Sequence, residues 1–146
     1  QPVLARDKIP GRATVKQMSN EYNAIAAINA SYFSLSGEIL GNTKINGIVA
    51  GTTYYTRSTM GINADGSAIF GRTSYYGKIT LGGVSLNIGG VDCERGADTV
   101  VIYNLHQGAT TGTNDFGVEY IVTDGIVTDI RVNKGNSEKT RHQRSK

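Results

Sequence analysis

The sequence predicts an α+β fold dominated by antiparallel β-sheet, with one or two short helices. Three observations predict it. Glycine supplies 19 of the 146 residues, against an ordinary share of about 7%. These glycines lie between apolar, β-prone runs such as Val100-Val101-Ile102-Tyr103, with no trace of the three-residue period of collagen. Asn46-Gly47, Asp65-Gly66 and Asp124-Gly125 each separate β-prone segments, where a two-residue type I′ turn needs positive φ at both central positions. A chain of this length buries about 70% of its unfolded surface, enough for one ordinary domain.

The elements follow in chain order. Residues 1–12 are polar and carry both prolines, so they read as a leading loop. Val15, Met18 and Tyr22 recur at helical spacing, which makes 13–22 a short helix with its polar side to water, ended by Asn23. Ala24-Ile25-Ala26-Ala27-Ile28 is short and wholly apolar, the pattern of a strand buried on both faces. Beyond Ser34 the chain reads as hairpins turning at the sites above, with Gly82-Gly83 and Gly89-Gly90 bracketing a strand over 84–88. Asn46-Gly47-Ile48-Val49 and Asp124-Gly125-Ile126-Val127 look alike, but four residues describe two similar hairpins rather than a repeat. No shift of composition divides the chain before Lys134, so 1–133 reads as one domain and 134–146 as a basic, disordered tail.

Charge excludes one large class of function. The net charge of +3 resolves into a segment from Lys134 onward with five basic residues and one acid, and a body with ten basic and eleven acidic residues. A near-neutral body lacks the electrostatic footprint of phosphate-backbone binding, so nucleic acid is not an expected partner. No apolar run of about 18 residues spans a membrane. The first residues lack a charged segment followed by an apolar one, so the signal of an exported parent is expected to have been removed already or to lie outside this sequence.

The common catalytic and cofactor motifs are missing. There is no Gly-x-Ser-x-Gly elbow, and His106 and His142 have no recognisable nucleophile partner. Cys93 sits between Asp92 and Glu94, acids that raise a thiol's pKa and argue for a structural role. One cysteine and two distant histidines make no zinc site, Asp115 and Glu119 alone do not define a calcium site, and no phosphate loop is present. No metal or cofactor is therefore expected. What stands out is Asn29-Ala30-Ser31-Tyr32-Phe33, an amide, a hydroxyl and two aromatic rings placed just beyond the apolar run. Such groups at the mouth of a sheet suit a sugar: the amide pairs with hydroxyl or acetamido groups, and the rings offer flat faces. Asn29-Ala30-Ser31 is also a glycosylation sequon, though a poor acceptor if it abuts a buried strand.

Ala27-Ile28-Asn29-Ala30-Ser31-Tyr32-Phe33, Gly37, Leu40-Gly41-Asn42, Asn46-Gly47, Arg57-Ser58-Thr59-Met60-Gly61-Ile62 and Asp65-Gly66 together resemble the phosphodiester glycosidase family. The later stretch from Asp92 to Asn104, followed by Gly117-Val118-Glu119-Tyr120, is similar to bacterial members. The resemblance covers roughly 13–132. Family members continue into a second half with an Arg-Thr-Ala-x-Gly-type strand and an Asp-Gly-Gly-Gly-Ser signature, neither of which occurs in this sequence. The resemblance therefore implies a partial, N-terminal piece of the family domain, from an exported protein acting outside the cell or at its surface.

The activity it implies is hydrolysis of a sugar-1-phosphodiester, of the N-acetylglucosamine-1-phosphodiester type, at the glycosidic bond. That chemistry needs a partner for the departing phosphate, a carboxylate for acid/base work and contacts to the sugar. Asn29, which matches the family's asparagine, and Glu119, a carboxylate set in an apolar strand, are the expected catalytic residues. Tyr32, Phe33, Asn42 and Arg57 are the expected substrate-binding residues, with the Arg57 guanidinium as the phosphate ligand. The alternative is a non-catalytic carbohydrate-binding or surface-associated module that keeps the sugar-facing loop. An incomplete sheet exposes an edge, so a homo-oligomer or pairing with a missing C-terminal half is expected.

Overall fold

The computed structural model describes residues 1–52 and 56–137. Its contacts divide the chain into two compact units, Gln1–His106 and Gln107–Lys146, where the sequence reads as one domain to residue 133. The fold is mostly antiparallel β with one α-helix, as expected. The first unit holds a 3-10 turn Ala5–Asp7, helix α1 (Val15–Glu21) and strands β1 (Thr43–Ile45), β2 (Ile48–Gly51), β3 (Arg57–Ile62), β4 (Ala68–Thr73), β5 (Lys78–Leu81), β6 (Val84–Val91) and β7 (Val100–Ile102). The second holds β8 (Val118–Thr123) and β9 (Ile126–Val132). β1–β2, β3–β4, β5–β6 and β8–β9 are antiparallel pairs, and β6–β7 is parallel.

Local chemistry sets the boundaries of α1. Thr14 accepts from the Gln17 amide at 3.1 Å while the Gln17 side chain accepts from the Thr14 amide at 2.9 Å, a reciprocal capping box. At the other end Asn23 turns left-handed at φ 48°. There Asn23 N–H reaches the Asn20 carbonyl and Ala24 N–H the Ser19 carbonyl, the Schellman pattern. α1 buries no residue. Its hold on the rest of the unit includes the Tyr22 hydroxyl, which donates to Asp7 Oδ1 at 2.6 Å.

The turns follow their residues closely. Asn46-Gly47, Gly82-Gly83 and Asp124-Gly125 all carry two consecutive positive φ angles, the type I′ signature. Asp65-Gly66 does not: only Gly66 is left-handed, at φ 84°. Gly66 N–H bonds the Asn63 carbonyl and Asn63 N–H bonds the Ser67 carbonyl, so this turn is a longer one closed by a glycine bulge. Gly89-Gly90 does not end a strand either, since β6 runs on to Val91 with a register shift between Ile88 and Gly90. A Cβ on Gly90 would fall 2.3 Å from Cys93 Sγ, so glycine here admits a close approach rather than a turn.

The largest departure is at 24–28, which forms no strand. Ile25 and Ile28 are 106% and 88% exposed. A strand buried on both faces needs a neighbour on each side. Among the described residues the ladders are β1–β2, β3–β4, β5–β6–β7 and β8–β9, and none of them takes in this run.

The core of the first unit is small: Ile9, Ile45 and Ala50 are buried together, with Leu4 and Ile39 packed against them. Beside it lies a buried polar node. Asp92, 2% exposed, leaves β6 with φ 48°. Its N–H donates to the Ile102 carbonyl at 2.9 Å, and its Oδ1 accepts from Asn104 N–H at 2.8 Å. Asn104 Oδ1 accepts from His106 N–H at 2.9 Å, and its Nδ2 donates to the Val49 carbonyl at 2.6 Å. The His106 carbonyl then accepts from Ile9 N–H at 2.6 Å. The side chains of Asp92 and Asn104 thus join β2 and the exits of β6 and β7, and the leading loop is added by a backbone bond to His106.

Asn104→Ala leaves the Val49 carbonyl and the His106 amide without this partner and is expected to cost about 2–4 kcal/mol. Urea denaturation checks it through a lower midpoint at unchanged slope. A second expectation concerns Tyr22, whose phenol is pushed up to about 12 from 10.0, chiefly by its hydrogen bond to Asp7. Because the folded pKa is raised, this contribution to stability is present below about pH 10 and lost as pH rises toward 12. Alkaline titration of tyrosinate absorbance should show a late-titrating fraction, to which Tyr75, raised by burial, also contributes, and Asp7→Asn should return the Tyr22 part toward 10.

Candidate functional site

The segment after residue 30 builds a small two-arm turn that presents the aromatic pair. Phe33 and Ile39 form an antiparallel bridge. Leu40 N–H donates to the Tyr32 carbonyl and Ser34 N–H to the Glu38 carbonyl, both at 2.9 Å. Gly37 closes the bend at φ 96°, and Arg12 ties the loop down by donating to the Leu35 carbonyl at 2.9 Å. Tyr32 and Phe33 stand out from this turn, 74% and 56% exposed.

The β3–β4 hairpin brings the expected cation and amide to the same place. The Arg57 guanidinium lies over the Tyr32 ring, 5.6 Å from its centroid. Directly across the ladder from Arg57 is Thr73, and Asn42 Nδ2 donates to the Thr73 carbonyl at 3.0 Å. Tyr32, Arg57 and Asn42 are 10 to 25 residues apart in sequence and converge on one end of one hairpin. Thr59 joins them, its hydroxyl 2.7 Å from that of Thr73. Sequence reasoning missed Thr59 and Thr73. A signal for them existed in the register: once 62 pairs with 68 around the Asp65-Gly66 turn, period-2 alternation puts Arg57, Thr59, Gly71 and Thr73 on one face.

Phe33 shares the turn with Tyr32, and its recorded pairing is with Ile39. Asn29 is exposed and lies in irregular chain. The loss of the 24–28 strand removes both the strand end expected to position Asn29 and the objection to its sequon.

Glu119 belongs to the second unit, where it is bound by three donors. Its Oε1 accepts from the Thr111 hydroxyl at 2.9 Å and from the Thr113 hydroxyl in a shorter bond, and its Oε2 accepts from Ser137 N–H at 3.2 Å. Asn136 N–H in turn reaches Thr113 Oγ1 at 2.9 Å. Residues 136–137 of the expected tail are therefore tied into the folded unit, and 138–146 lie outside the described residues. Burial pushes the Glu119 carboxyl up, but the Ser137, Thr113 and Thr111 bonds together outweigh it and hold the pKa below 4.5. A carboxylate so held is an acceptor or a base rather than a proton donor. Arg131, its cross-strand neighbour, gives Nε to Asp129 at 2.9 Å.

Two other groups are structural. Cys93 is half-buried with its thiol pKa raised, first by burial and then by the surrounding acids, the Thr52 hydroxyl opposing them. His106 is buried in the polar node. Among the described residues no group of three or more His, Cys, Asp or Glu is placed to hold a metal, and no helix is long and apolar enough to cross a membrane.

No family model, curated protein or solved structure matches the chain. The fold and cluster define a mostly antiparallel β protein that presents a tyrosine face, a guanidinium and a hydroxyl pair on one hairpin end.

Because the Glu119 pKa is lowered, its contribution is present above about pH 4.5 and lost as pH falls through the lower folded value. Glu119→Gln is expected to be less stable than the native chain at neutral pH and to lose part of the acid-side fall in stability. Denaturant midpoints measured from pH 7 down to pH 3 would check it; parallel pH curves for the two chains would contradict the placement.

Proposed function

We propose that this chain binds a sugar-1-phosphodiester at the Tyr32–Arg57–Asn42 cluster. The observation that supports this most is the Arg57 guanidinium stacked on an exposed tyrosine. A guanidinium is planar, matches two phosphate oxygens at once and stacks on a ring by its face. Tyr32 and Phe33 offer apolar faces to a sugar ring, and Asn42 braces the strand that carries the site. Carbohydrate recognition by the chain is thus the favoured reading, in an exported protein.

Hydrolysis at the glycosidic bond is the second reading, carried by the resemblance to phosphodiester glycosidases, which implies Glu119 as its carboxylate. It requires a proton donor as well as a base, and a carboxylate held ionised by three donors supplies only the latter role.

The test is titration with α-N-acetylglucosamine-1-phosphate and with a UDP-linked N-acetylglucosamine, followed by amide shifts and by released sugar. Binding without release is expected, with Arg57→Gln and Tyr32→Ala each weakening it about tenfold or more. Release abolished by Glu119→Gln would establish the hydrolytic reading instead. A chain that shifts with neither ligand has no such site.

A further inference from the structure

The hydroxyl pair beside Arg57 has a polarity that can be worked out bond by bond. Thr59 Oγ1 lies 3.3 Å from the Arg57 carbonyl and 2.7 Å from Thr73 Oγ1, and Asn42 Nδ2 lies 3.4 Å from Thr73 Oγ1. A hydroxyl has one proton to give and two lone pairs to receive with. The arrangement that makes all three bonds runs in one direction: Asn42 N–H to Thr73, Thr73 O–H to Thr59, Thr59 O–H to the Arg57 carbonyl. Reversing the middle bond takes the Thr59 proton from the Arg57 carbonyl and leaves two bonds instead of three. In the complete relay both threonine protons are committed inward, and each oxygen keeps one lone pair.

The ground next to that pair is open. Gly71 is the direct cross-strand partner of Thr59, and a Cβ built on it would meet no heavy atom within 4 Å. Two residues along a strand is a step of about 6.8 Å. The Thr59–Gly71 pair therefore lies one such step from the Arg57–Thr73 pair on the same face.

We infer that this hairpin face is a two-part subsite of fixed polarity. Arg57 takes the anionic phosphate, and the acceptor pair Thr59 and Thr73, with the floor at Gly71, takes the hydroxyl or acetamido N–H groups of the attached sugar. The inference rests on the proposed sugar-phosphodiester site and names which end of the ligand lies where. Phosphate oxygens cannot exchange places with the sugar, because acceptor would face acceptor at the threonines. The ligand is thereby read in one orientation, by the acceptors Thr59 and Thr73 at its sugar and by the charge of Arg57 at its phosphate.

The experiment compares α-N-acetylglucosamine-1-phosphate with inorganic phosphate, by amide-shift titration of the full chain. Thr59→Val keeps the shape and removes the hydroxyl. It should weaken sugar-phosphate binding about five- to tenfold, and leave inorganic phosphate binding within about twofold. Thr59→Ser restores the hydroxyl and should restore the sugar-phosphate affinity. Gly71→Val, which suits a strand and whose Cβ meets no described heavy atom within 4 Å, should block the sugar phosphate and spare inorganic phosphate. Circular dichroism of each variant against the native chain reports folding.

Equal losses for both probes in Thr59→Val, or failure of Thr59→Ser to recover, would overturn the assignment of ends. So would native-like sugar-phosphate binding in both Thr59→Val and Gly71→Val. A native chain that binds inorganic phosphate but gains nothing from the sugar overturns this inference and leaves the Arg57 site standing. A native chain that binds neither probe overturns the site itself.

Discussion

The first unit depends on a problem of backbone satisfaction solved by Asp92 and Asn104. Its apolar core is small, with Ile9, Ile45 and Ala50 at the centre, so packing alone has little with which to fix β2 and the exits of β6 and β7. The carboxylate and the amide do so by receiving or giving bonds at Asn104 N–H, His106 N–H and the Val49 carbonyl. The left-handed turn at Asp92 directs the carboxylate back beneath the exits of β6 and β7. Thr52 adds a further tie by accepting from Val91 N–H at 3.1 Å, linking the chain just after β2 to the end of β6. The buried bonds make up for what the core lacks, because each is costly to leave unmade.

The candidate site draws on a different kind of order. A cation–π contact at an exposed ring is worth only about 0.5–1 kcal/mol, too little to hold Arg57 and Tyr32 in place. Their meeting is a product of the β3–β4 register and of the Asn42 bond to Thr73, which places the aromatic turn beside the open end of that hairpin. In the second unit Glu119 plays the part that Asn42 plays in the first. It gathers 111–113 and 136–137 around β8 through three bonds, so its charge organises local backbone whatever else it does.

Much of this was legible in residue types, and the exceptions have physical causes. Asn46-Gly47 and Asp124-Gly125 specify their hairpins because few residues tolerate two successive left-handed positions. The spacing of Val15, Met18 and Tyr22 and the stop at Asn23 mark α1 in the same local way. Asp65-Gly66 looked identical but turns differently, since the Asn63–Ser67 and Gly66–Asn63 bonds choose a longer loop. Residues 24–28 read as a buried strand from apolarity alone, and apolarity does not supply the flanking strands that burial needs. Tyr32, Asn42 and Arg57 were visible one by one; their convergence, and the relay through Thr59 and Thr73, depended on a register that spacing in sequence does not reveal.

β8 and β9 alternate so that Val118, Tyr120 and Val122 share an exposed face with Ile130 and Val132, each between 44% and 58% exposed. The pair is a two-stranded sheet, so both of its strands are also edges. Apolar surface and open backbone hydrogen-bonding groups therefore coincide on one short hairpin, with no proline to interrupt them. That combination templates edge-to-edge stacking of further strands. Pairing of a further strand along this hairpin is therefore the association that its surface favours.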